Sequence, residues 1–285
     1  MYYEFLSGFS DEISCDVDTQ FRVMNKLGIR YYEPRGIGEK NISQLNDEEV
    51  LALKAKMDEY GMKASSIGSP IGKIDLSEDF EAHFELFKRV VRTAHMLGTR
   101  YIRMFSFHNK GKEWNEESRA LVLERLGRLI EYAKAEDVVL LHENEKNIYG
   151  DTADHCLDLM KALSCDHFKQ VFDPANFVQC GEDTKEAYEK LKGYVAYVHI
   201  KDARKETGSI VPAGHGDGNV AYVLRELFKA GYHGFISLEP HLGKFKGLAQ
   251  LEGDCDIMKD LPEGGEGTFT LAYEALKKII EEEKR

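Results

Sequence analysis

The sequence predicts an α/β fold of the (β/α)8 barrel type, and three observations lead to that prediction. Short apolar segments alternate with amphipathic ones along the chain, as expected when parallel strands are joined by helices. The length of 285 residues suits such a barrel, and no Pro- or Ser-rich linker divides the chain. Polar residues follow several apolar segments, at the strand ends where barrel active sites are assembled. We therefore expect one barrel domain over residues 1–285.

The predicted strands are short and rich in β-branched, aromatic or Leu residues. Many are apolar on both faces, which is typical of a parallel sheet covered by helices. They lie at 4–9, 30–36, 63–69, 100–107, 137–143, 169–173, 195–200 and 235–239.

The predicted helices between these strands have recognisable ends. Residues 47–60 follow the N-cap candidate Asn46 and end at Gly61, a residue suited to the left-handed conformation at a helix end. Helices at 78–97 and 219–230 are likewise predicted to end at a glycine, Gly98 and Gly231, and apolar residues repeated at helical spacing predict a helix at 117–135. An open, doubly wound sheet is the competing fold, but no Gly-rich phosphate-binding sequence follows the first strand. The barrel is therefore preferred.

Composition excludes several classes of partner. The formal net charge of -12 repels nucleic acid and anionic lipid, and no apolar run is long enough to cross a membrane. The five cysteines are scattered without a CxxC pair, which favours a reducing compartment. The N-terminus lacks the features of a signal peptide. We expect a cytoplasmic protein with no nucleic-acid or membrane partner, and a homo-oligomer is compatible with the sequence.

Two predicted loops are longer than a connection requires. One spans 108–118 and carries Trp114, the single tryptophan of the chain, and the other spans 242–267. Both follow predicted strands and so belong to the face that would carry an active site. A role as a lid or pocket wall and a role as a surface insertion are equally compatible with either loop.

Four apolar runs in the second half of the chain each end in a residue that can bind a metal. The runs VVLLHE, KQVFD, AYVH and FISLE end at Glu143, Asp173, His199 and Glu239. Any one of these residues alone would be an ordinary strand end or a buried histidine. Three carboxylates and one imidazole together form an oxygen-rich site that suits Mn²⁺, Mg²⁺, Co²⁺ or Zn²⁺. The sequence therefore predicts one divalent-cation site.

The alternation of side chains along a strand separates ligands from their neighbours. If Glu143 points into the barrel mouth, His142 points towards the helices, where a hydrogen-bonded packing role is expected. The same alternation places Lys201 on the side of His199. Glu33 and Arg35 end the second strand at the same mouth, a position that gives them no definite role.

Five motifs in this region resemble a known family. They are HENEKNIYGDT (142–152), VFDPANF (171–177), YVHIKDA (197–203), PAGHGDGNV (212–220) and SLEPH (237–241). They are similar to those of the sugar phosphate isomerase/epimerase family, whose members have xylose isomerase-like barrels. That group includes ketose 3-epimerases, hydroxypyruvate isomerases, inosose dehydratases and apurinic endonucleases. The resemblance covers nearly the whole chain but does not select one reaction.

The resemblance implies a function and roles for particular residues. It implies that Glu143, Asp173, His199 and Glu239 bind the metal and that the two glutamates form an acid/base pair. We expect an isomerase or epimerase of a small sugar, keto-polyol or sugar acid, working by proton transfer through a metal-stabilised enediolate. The substrate would be a small polyhydroxylated carbonyl compound. The alternatives are a metal-dependent dehydratase of the inosose or dehydroshikimate type and a catalytically idle sugar-binding barrel.

Departures from the family pattern concern substrate binding. Some epimerases carry histidine where this chain has Asn176, so substrate contacts there must differ. His215 stands where many relatives have an acid or amide, and it would bind substrate or cap the next helix. Lys201 is a candidate for binding substrate hydroxyls, a carboxylate or a phosphate. Arg204 is a second candidate, although an ion pair with Asp202 is favoured for it.

The nuclease branch of the family is not supported. Its members use additional histidines around these motifs to hold a three-zinc cluster. This chain has DPAN and HIKDA at those places, and its negative charge opposes binding of DNA.

Overall fold

The computed structural model describes residues 5–243 and 261–283. The strands are β1 (Leu6–Gly8), β2 (Tyr31–Tyr32), β3 (Gly36–Ile37), β4 (Lys40–Asn41), β5 (Lys63–Ala64), β6 (Ile67–Gly68), β7 (Tyr101–Met104), β8 (Val139–Glu143), β9 (Phe168–Phe172), β10 (Val195–Ile200), β11 (Asp202–Ala203), β12 (Ile210–Val211) and β13 (Ile236–Leu238). The helices are α1 (Val17–Lys26), α2 (Asp47–Tyr60), α3 (Phe80–Leu97), α4 (Glu116–Ala135), α5 (Ala153–Leu163), α6 (Pro174–Gln179), α7 (Thr184–Leu191), α8 (Val220–Lys229) and α9 (Gly265–Glu283).

Seven strands form one curled parallel sheet in the order β1-β13-β10-β9-β8-β7-β6. Strand β2 pairs in parallel with β5, and the Glu33 N–H donates to Gly8 O at 2.9 Å, so β2 lies between β1 and β5. Ser65 and Ser66 divide the third barrel strand into β5, which pairs with β2, and β6, which pairs with β7. The ring therefore has eight strand positions, and the predicted (β/α)8 barrel is confirmed.

The helix ends follow the sequence signals that predicted them. At the start of α2, the Asn46 side chain accepts from the Glu49 N–H while the Glu49 side chain accepts from the Asn46 N–H. The helix ends at Gly61, whose φ of 65° is left-handed. Helix α3 ends in the same way at Gly98, with a φ of 75°. These caps satisfy backbone groups that the helices leave unpaired and so fix the lengths of the helices.

Apolar packing fills the lower part of the barrel and the layer between strands and helices. The interior cluster consists of Val139, Leu141, Val171 and Tyr197, with Tyr101, Ala196 and Phe235 packed against it. The neighbouring Leu140 belongs to the outer layer under the helices, as strand alternation requires. The interior apolar cluster leaves the carboxyl ends of the strands as the place where polar groups gather.

The first long loop is anchored to its neighbours. Its first residue, His108, accepts the Leu76 N–H on its carbonyl oxygen at 2.9 Å, and its Nδ1 lies 2.9 Å from Asn147 O. Trp114 packs edge-on against Tyr149 with ring centroids 5.1 Å apart. The loop is shorter than expected, because α4 begins at Glu116.

The second predicted loop, 242–267, lies largely outside the described residues, since 244–260 are not described. Residues 265–267 open helix α9 rather than continuing a loop. Within the described ranges, no helix combines the length and apolar character that a membrane span requires.

Gly72 permits a close backbone approach that holds the segment after β6 against the residues that follow β7. Its carbonyl accepts the Phe107 N–H at 2.9 Å, its φ is 87°, and an added Cβ would overlap the backbone carbonyl of Phe105. We predict that Gly72→Ala lowers the free energy of unfolding by at least about 2 kcal/mol, measured by urea denaturation. Gly28→Ala is the control, because Gly28 has a similar φ of 78° but open space around it. Equal losses in both variants would contradict the steric account.

Candidate functional site

The four residues predicted to bind a cation come together at the carboxyl ends of four adjacent strands. One donor atom from each of Glu143, Asp173, His199 and Glu239 lies within 4.8 Å of the others, and all four side chains are buried. Glu143 ends β8, Asp173 follows β9, His199 lies in β10 and Glu239 follows β13. We call these residues the quartet. The sequence pattern alone identified this cluster.

Strand alternation gives Glu143 its inward direction. Val139 and Leu141 of β8 point into the barrel, so Glu143 does as well. His142 points the other way, where its Nε2 lies 3.0 Å from Ser106 Oγ. Burial lowers the pKa of His142 to about 4, which suits the packing role predicted for it.

Asp173 is fixed by its position at the start of α6. Its Oδ1 accepts the Asn176 N–H at 2.9 Å, as an N-cap residue does. The Asn144 side chain bonds both the N–H and the carbonyl of Asp173, at 3.0 and 2.9 Å. The other carboxylate oxygen, Oδ2, takes no part in these bonds and lies 3.3 Å from Lys201 Nζ.

Each carboxylate of the quartet has one buried oxygen that makes no hydrogen bond with the described residues. These oxygens are Glu143 Oε2, Asp173 Oδ2 and Glu239 Oε2. Each lies near a side-chain cation, at 3.3 to 3.8 Å, without hydrogen-bond geometry. A buried acceptor without a partner costs free energy, and a divalent cation bound between the three would remove that cost. The donor set therefore fits a divalent metal ion.

Two buried arginines hold the two glutamates. Arg35 Nη1 lies 2.8 Å from Glu239 Oε1, and Arg103 Nη1 lies 3.3 Å from Glu143 Oε2. Both guanidinium groups lie over the ring of Phe9, with their central carbons 4.3 and 5.3 Å from its centroid. These contacts restrict the movement of both carboxylates.

Two further acidic side chains, Asp11 and Glu12, contact Arg35. Asp11 Oδ2 accepts from Arg35 Nε at 2.9 Å, and Glu12 Oε1 lies 3.2 Å from Arg35 Nη2. His241, whose φ of 48° is left-handed, donates its backbone N–H to Glu12 Oε2 at 2.7 Å. Its ring Nε2 lies 3.4 Å from Glu239 Oε1. This network fixes Glu239 from the side away from the quartet.

The environments of the quartet shift its pKa values in different directions. Burial raises the pKa of Asp173 to about 7, against the opposing charge of Lys201. Burial would also raise the pKa of Glu239, but the positive charges of Lys201 and His241 outweigh it and hold that pKa well below its usual value. Burial acts to lower the pKa of His199, and the carboxylates of Glu143 and Glu33 outweigh it, so the pKa is raised well above its usual value.

Of the predicted substrate-binding residues, two lie at the quartet. Lys201 Nζ is 3.3 Å from Asp173 Oδ2 and 3.8 Å from Glu239 Oε2. Asn176 Nδ2 is 3.5 Å from Glu143 Oε1. Both side chains are buried. They are therefore close enough to the quartet to contact a molecule bound there.

The other two predicted substrate-binding residues, Arg204 and His215, are exposed. His215 does not cap the next helix, because the N-cap residue of α8 is Asn219, which makes no side-chain cap bond.

The prediction of an ion pair between Asp202 and Arg204 is wrong. The Asp202 carboxylate instead accepts backbone N–H groups from Ala203, Gly214, Gly216 and Gly218. It organises the PAGHGDG loop through these bonds.

Phe9 and Arg103 were missed by the sequence reasoning, and Glu33 and Arg35 were left without a role. Arg103 had a usable signal: it alternates with Ile102 and Met104, which pack in the outer layer, so it must point into the barrel. No local pattern marks Phe9, because its neighbours at the site come from other strands.

Comparison with known proteins shows the family. The sequence model of the family described as xylose isomerase-like TIM barrel matches residues 21–261, and the chain belongs to this family. An inosose dehydratase from Clostridium perfringens is 25% identical over 142 residues, covering 44% of this chain and 48% of that protein. The match thus spans about half the length of this curated relative.

Solved structures share the fold over nearly the whole chain. An L-ribulose 3-epimerase has a TM-score of 0.77 and 18% identity, covering 98% of this chain and 95% of its own. The IOLI protein, solved with a zinc atom, has a TM-score of 0.75 and 18% identity, covering 97% of this chain and 98% of its own. At this level of identity the likeness shows the fold, and the named relatives include an epimerase and a dehydratase.

Arg35 forms ion pairs with Asp11, Glu12 and Glu239, of which Glu12 and Glu239 are buried, so its loss leaves several negative charges uncompensated. We predict that Arg35→Gln lowers the free energy of unfolding of the metal-free protein by about 3–5 kcal/mol, measured by chemical denaturation. Arg92→Gln is the control, because Arg92 forms an exposed ion pair with Asp47 and should cost far less. Comparable losses in the two variants would show that the buried network around Arg35 stabilises the fold no more than an exposed ion pair does.

Proposed function

We propose that this chain is a divalent-metal-dependent isomerase or epimerase of a small sugar, keto-polyol or sugar acid. The observation that carries the proposal is the buried quartet, whose four donor atoms lie within 4.8 Å of one another and whose three carboxylates each keep one buried oxygen without a hydrogen bond to the described residues. The fold likeness to an L-ribulose 3-epimerase is compatible with this reaction class.

Glu143, Asp173, His199 and Glu239 would hold one cation, for which Mn²⁺, Mg²⁺, Co²⁺ and Zn²⁺ all suit the donor set. When bound, the cation would polarise a carbonyl and its neighbouring hydroxyl and make the adjacent C–H more acidic. A protein of the same fold, the IOLI protein, was solved with a zinc atom, which is compatible with a metal in this barrel.

The two glutamates are proposed as the acid/base pair. The strand order β13-β10-β9-β8 puts Glu239 and Glu143 at the two ends of the arc formed by the quartet, so they would approach a substrate from different sides. One glutamate removes a proton from the carbon beside the carbonyl. The other returns a proton to the opposite face, giving an epimer, or to the neighbouring carbon, giving an isomer. Arg35 and Arg103 orient the two carboxylates for these transfers.

Lys201 and Asn176 are proposed to bind substrate hydroxyl groups beside the quartet. Both contact quartet carboxylates, so a sugar held there would lie within reach of them. Arg204 and His215 would take part only if a bound substrate extended to the exposed loop that carries them. The loop at 108–115 is proposed as a wall or lid that excludes water from the reaction. The same role predicted for 242–267 falls largely outside the described residues.

A dehydratase is the second candidate, and two observations favour it. An inosose dehydratase is among the curated relatives that match part of this chain. The buried ammonium of Lys201, 3.8 Å from Glu239 Oε2, could protonate a departing hydroxyl after a glutamate has removed the neighbouring proton. Product analysis separates the candidates, because a dehydratase releases water whereas an epimerase or isomerase yields a product of unchanged mass. A catalytically idle barrel would change none of the sugars offered.

We predict that Glu239→Gln and Glu143→Gln each lower turnover by at least about 100-fold while keeping the fold, because an amide cannot accept the proton. The assay incubates the protein and a divalent cation with a panel of ketoses and inososes in D₂O. NMR then follows deuterium entry beside the carbonyl. Glu81→Gln, on the surface of α3, is the control and should exchange at the wild-type rate. An undiminished rate in Glu239→Gln would remove that residue from the acid/base pair.

We predict that a divalent cation stabilises the folded protein. At a free concentration 100 times the dissociation constant, binding adds about 2.7 kcal/mol to the free energy of unfolding. Thermal melting in Mn²⁺ and in excess chelator would measure this difference. Asp173→Asn should show a much smaller response. Identical melting curves with chelator and with each of the four candidate cations would contradict the metal site.

A further inference from the structure

The imidazole of His199 is engaged at both ring nitrogens. Its Nδ1 lies 2.8 Å from Glu143 Oε1 and 3.4 Å from Glu239 Oε2, so this nitrogen faces the quartet. Its Nε2 lies 3.2 Å from Glu33 Oε2, on the other side of the ring. A neutral imidazole ligates a metal through one nitrogen and carries a proton on the other. The geometry therefore gives the two nitrogens different tasks.

Glu33 is held firmly beneath His199. Its Oε2 also accepts from Tyr197 Oη at 2.9 Å and from Ser237 Oγ at 3.0 Å. Its own backbone N–H bonds Gly8 O at 2.9 Å. The carboxylate is buried, with the residue 1% exposed, so it does not exchange these partners for water. Glu33 thus offers His199 a fixed acceptor.

The ring plane of His199 is fixed as well. Phe9 and Tyr197 pack edge-on against the imidazole, with centroids 5.1 and 5.6 Å away and interplanar angles of 77° and 90°. Rotation of the ring would break these contacts and would turn Nε2 away from Glu33. The rings and the Glu33 carboxylate therefore select the same orientation.

We propose that Glu33 is a positioning residue for the metal site: it accepts the Nε2–H of His199 and so presents Nδ1 to the cation as the ligand atom. The proposal rests on the proposed function, since it requires that the quartet binds a metal. A carboxylate behind a ligating histidine fixes its tautomer and raises its basicity, and loss of such a partner typically weakens metal binding by about 10- to 100-fold.

A purely structural role for Glu33 is the competing explanation. In that case Glu33 would only join β2 to β10 and β13, and every hydrogen bond to its Oε2 would matter to a similar degree. Tyr197→Phe and Ser237→Ala test this explanation, because each removes one bond to Glu33 Oε2 and leaves the bond between His199 and Glu33 in place. Tyr197→Phe also keeps the ring that packs against His199.

The experiment is a calorimetric titration of Mn²⁺ and of Zn²⁺ into metal-free protein. We expect Glu33→Gln to bind both ions about 10- to 100-fold more weakly than wild type. Tyr197→Phe and Ser237→Ala should stay close to wild type. Wild-type affinity in Glu33→Gln would overturn this inference but not the proposed metal site. Equal losses in all three variants would do the same. Failure of the wild-type protein to bind either ion would overturn the proposed metal site together with the inference.

A second measurement needs no variant and so does not depend on the folding of Glu33→Gln. In the zinc-loaded wild-type protein, NMR of ¹⁵N-labelled histidine should show a proton on His199 Nε2, exchanging slowly with water, and none on Nδ1. A proton on Nδ1, with zinc on Nε2, would overturn the proposal.

Discussion

The structure depends on balancing the negative charge of the carboxylates that are buried together at the carboxyl ends of the strands. Donor atoms of Glu143, Asp173 and Glu239 share a space in which separations are below 4.8 Å. Like charges at such distances repel strongly where water is excluded. Buried side chains supply positive charge beside them, among them Arg35, Arg103 and Lys201. Replacement of a buried ionic cluster by apolar residues is often neutral or stabilising. The cluster is therefore better explained by chemistry at the site than by stability.

The barrel makes this concentration of charge tolerable by separating it from the apolar core. Side chains of β8 and its neighbours alternate, so the same strands supply Val139 and Leu141 to the apolar interior and Glu143 to the mouth. Between the two lies a polar layer in which Ser65 Oγ and Glu33 Oε2 both bond Tyr197 Oη, each at 2.9 Å. The face that carries the quartet can then be polar without weakening the packing beneath it.

Much of this arrangement could be predicted from sequence because the signals are local. Strand composition and helix caps gave the element order, and the residue at each strand end gave the quartet. The contacts that orient the quartet could not be predicted, because their partners are distant in sequence: Arg35 and Glu239 are 204 residues apart, as are Glu33 and Ser237. Asp202 was misassigned for another reason. Its partners are backbone N–H groups up to 16 residues away, which no side-chain pattern reveals.

The central claim is that the quartet binds one divalent cation, and anomalous diffraction from crystals soaked in Mn²⁺ tests it most directly. The account predicts a single strong anomalous peak per chain at the mouth of the barrel, bonded to one atom from each of Glu143, Asp173, His199 and Glu239. A peak bonded to other residues, or a quartet without anomalous density at saturating Mn²⁺, would contradict the account.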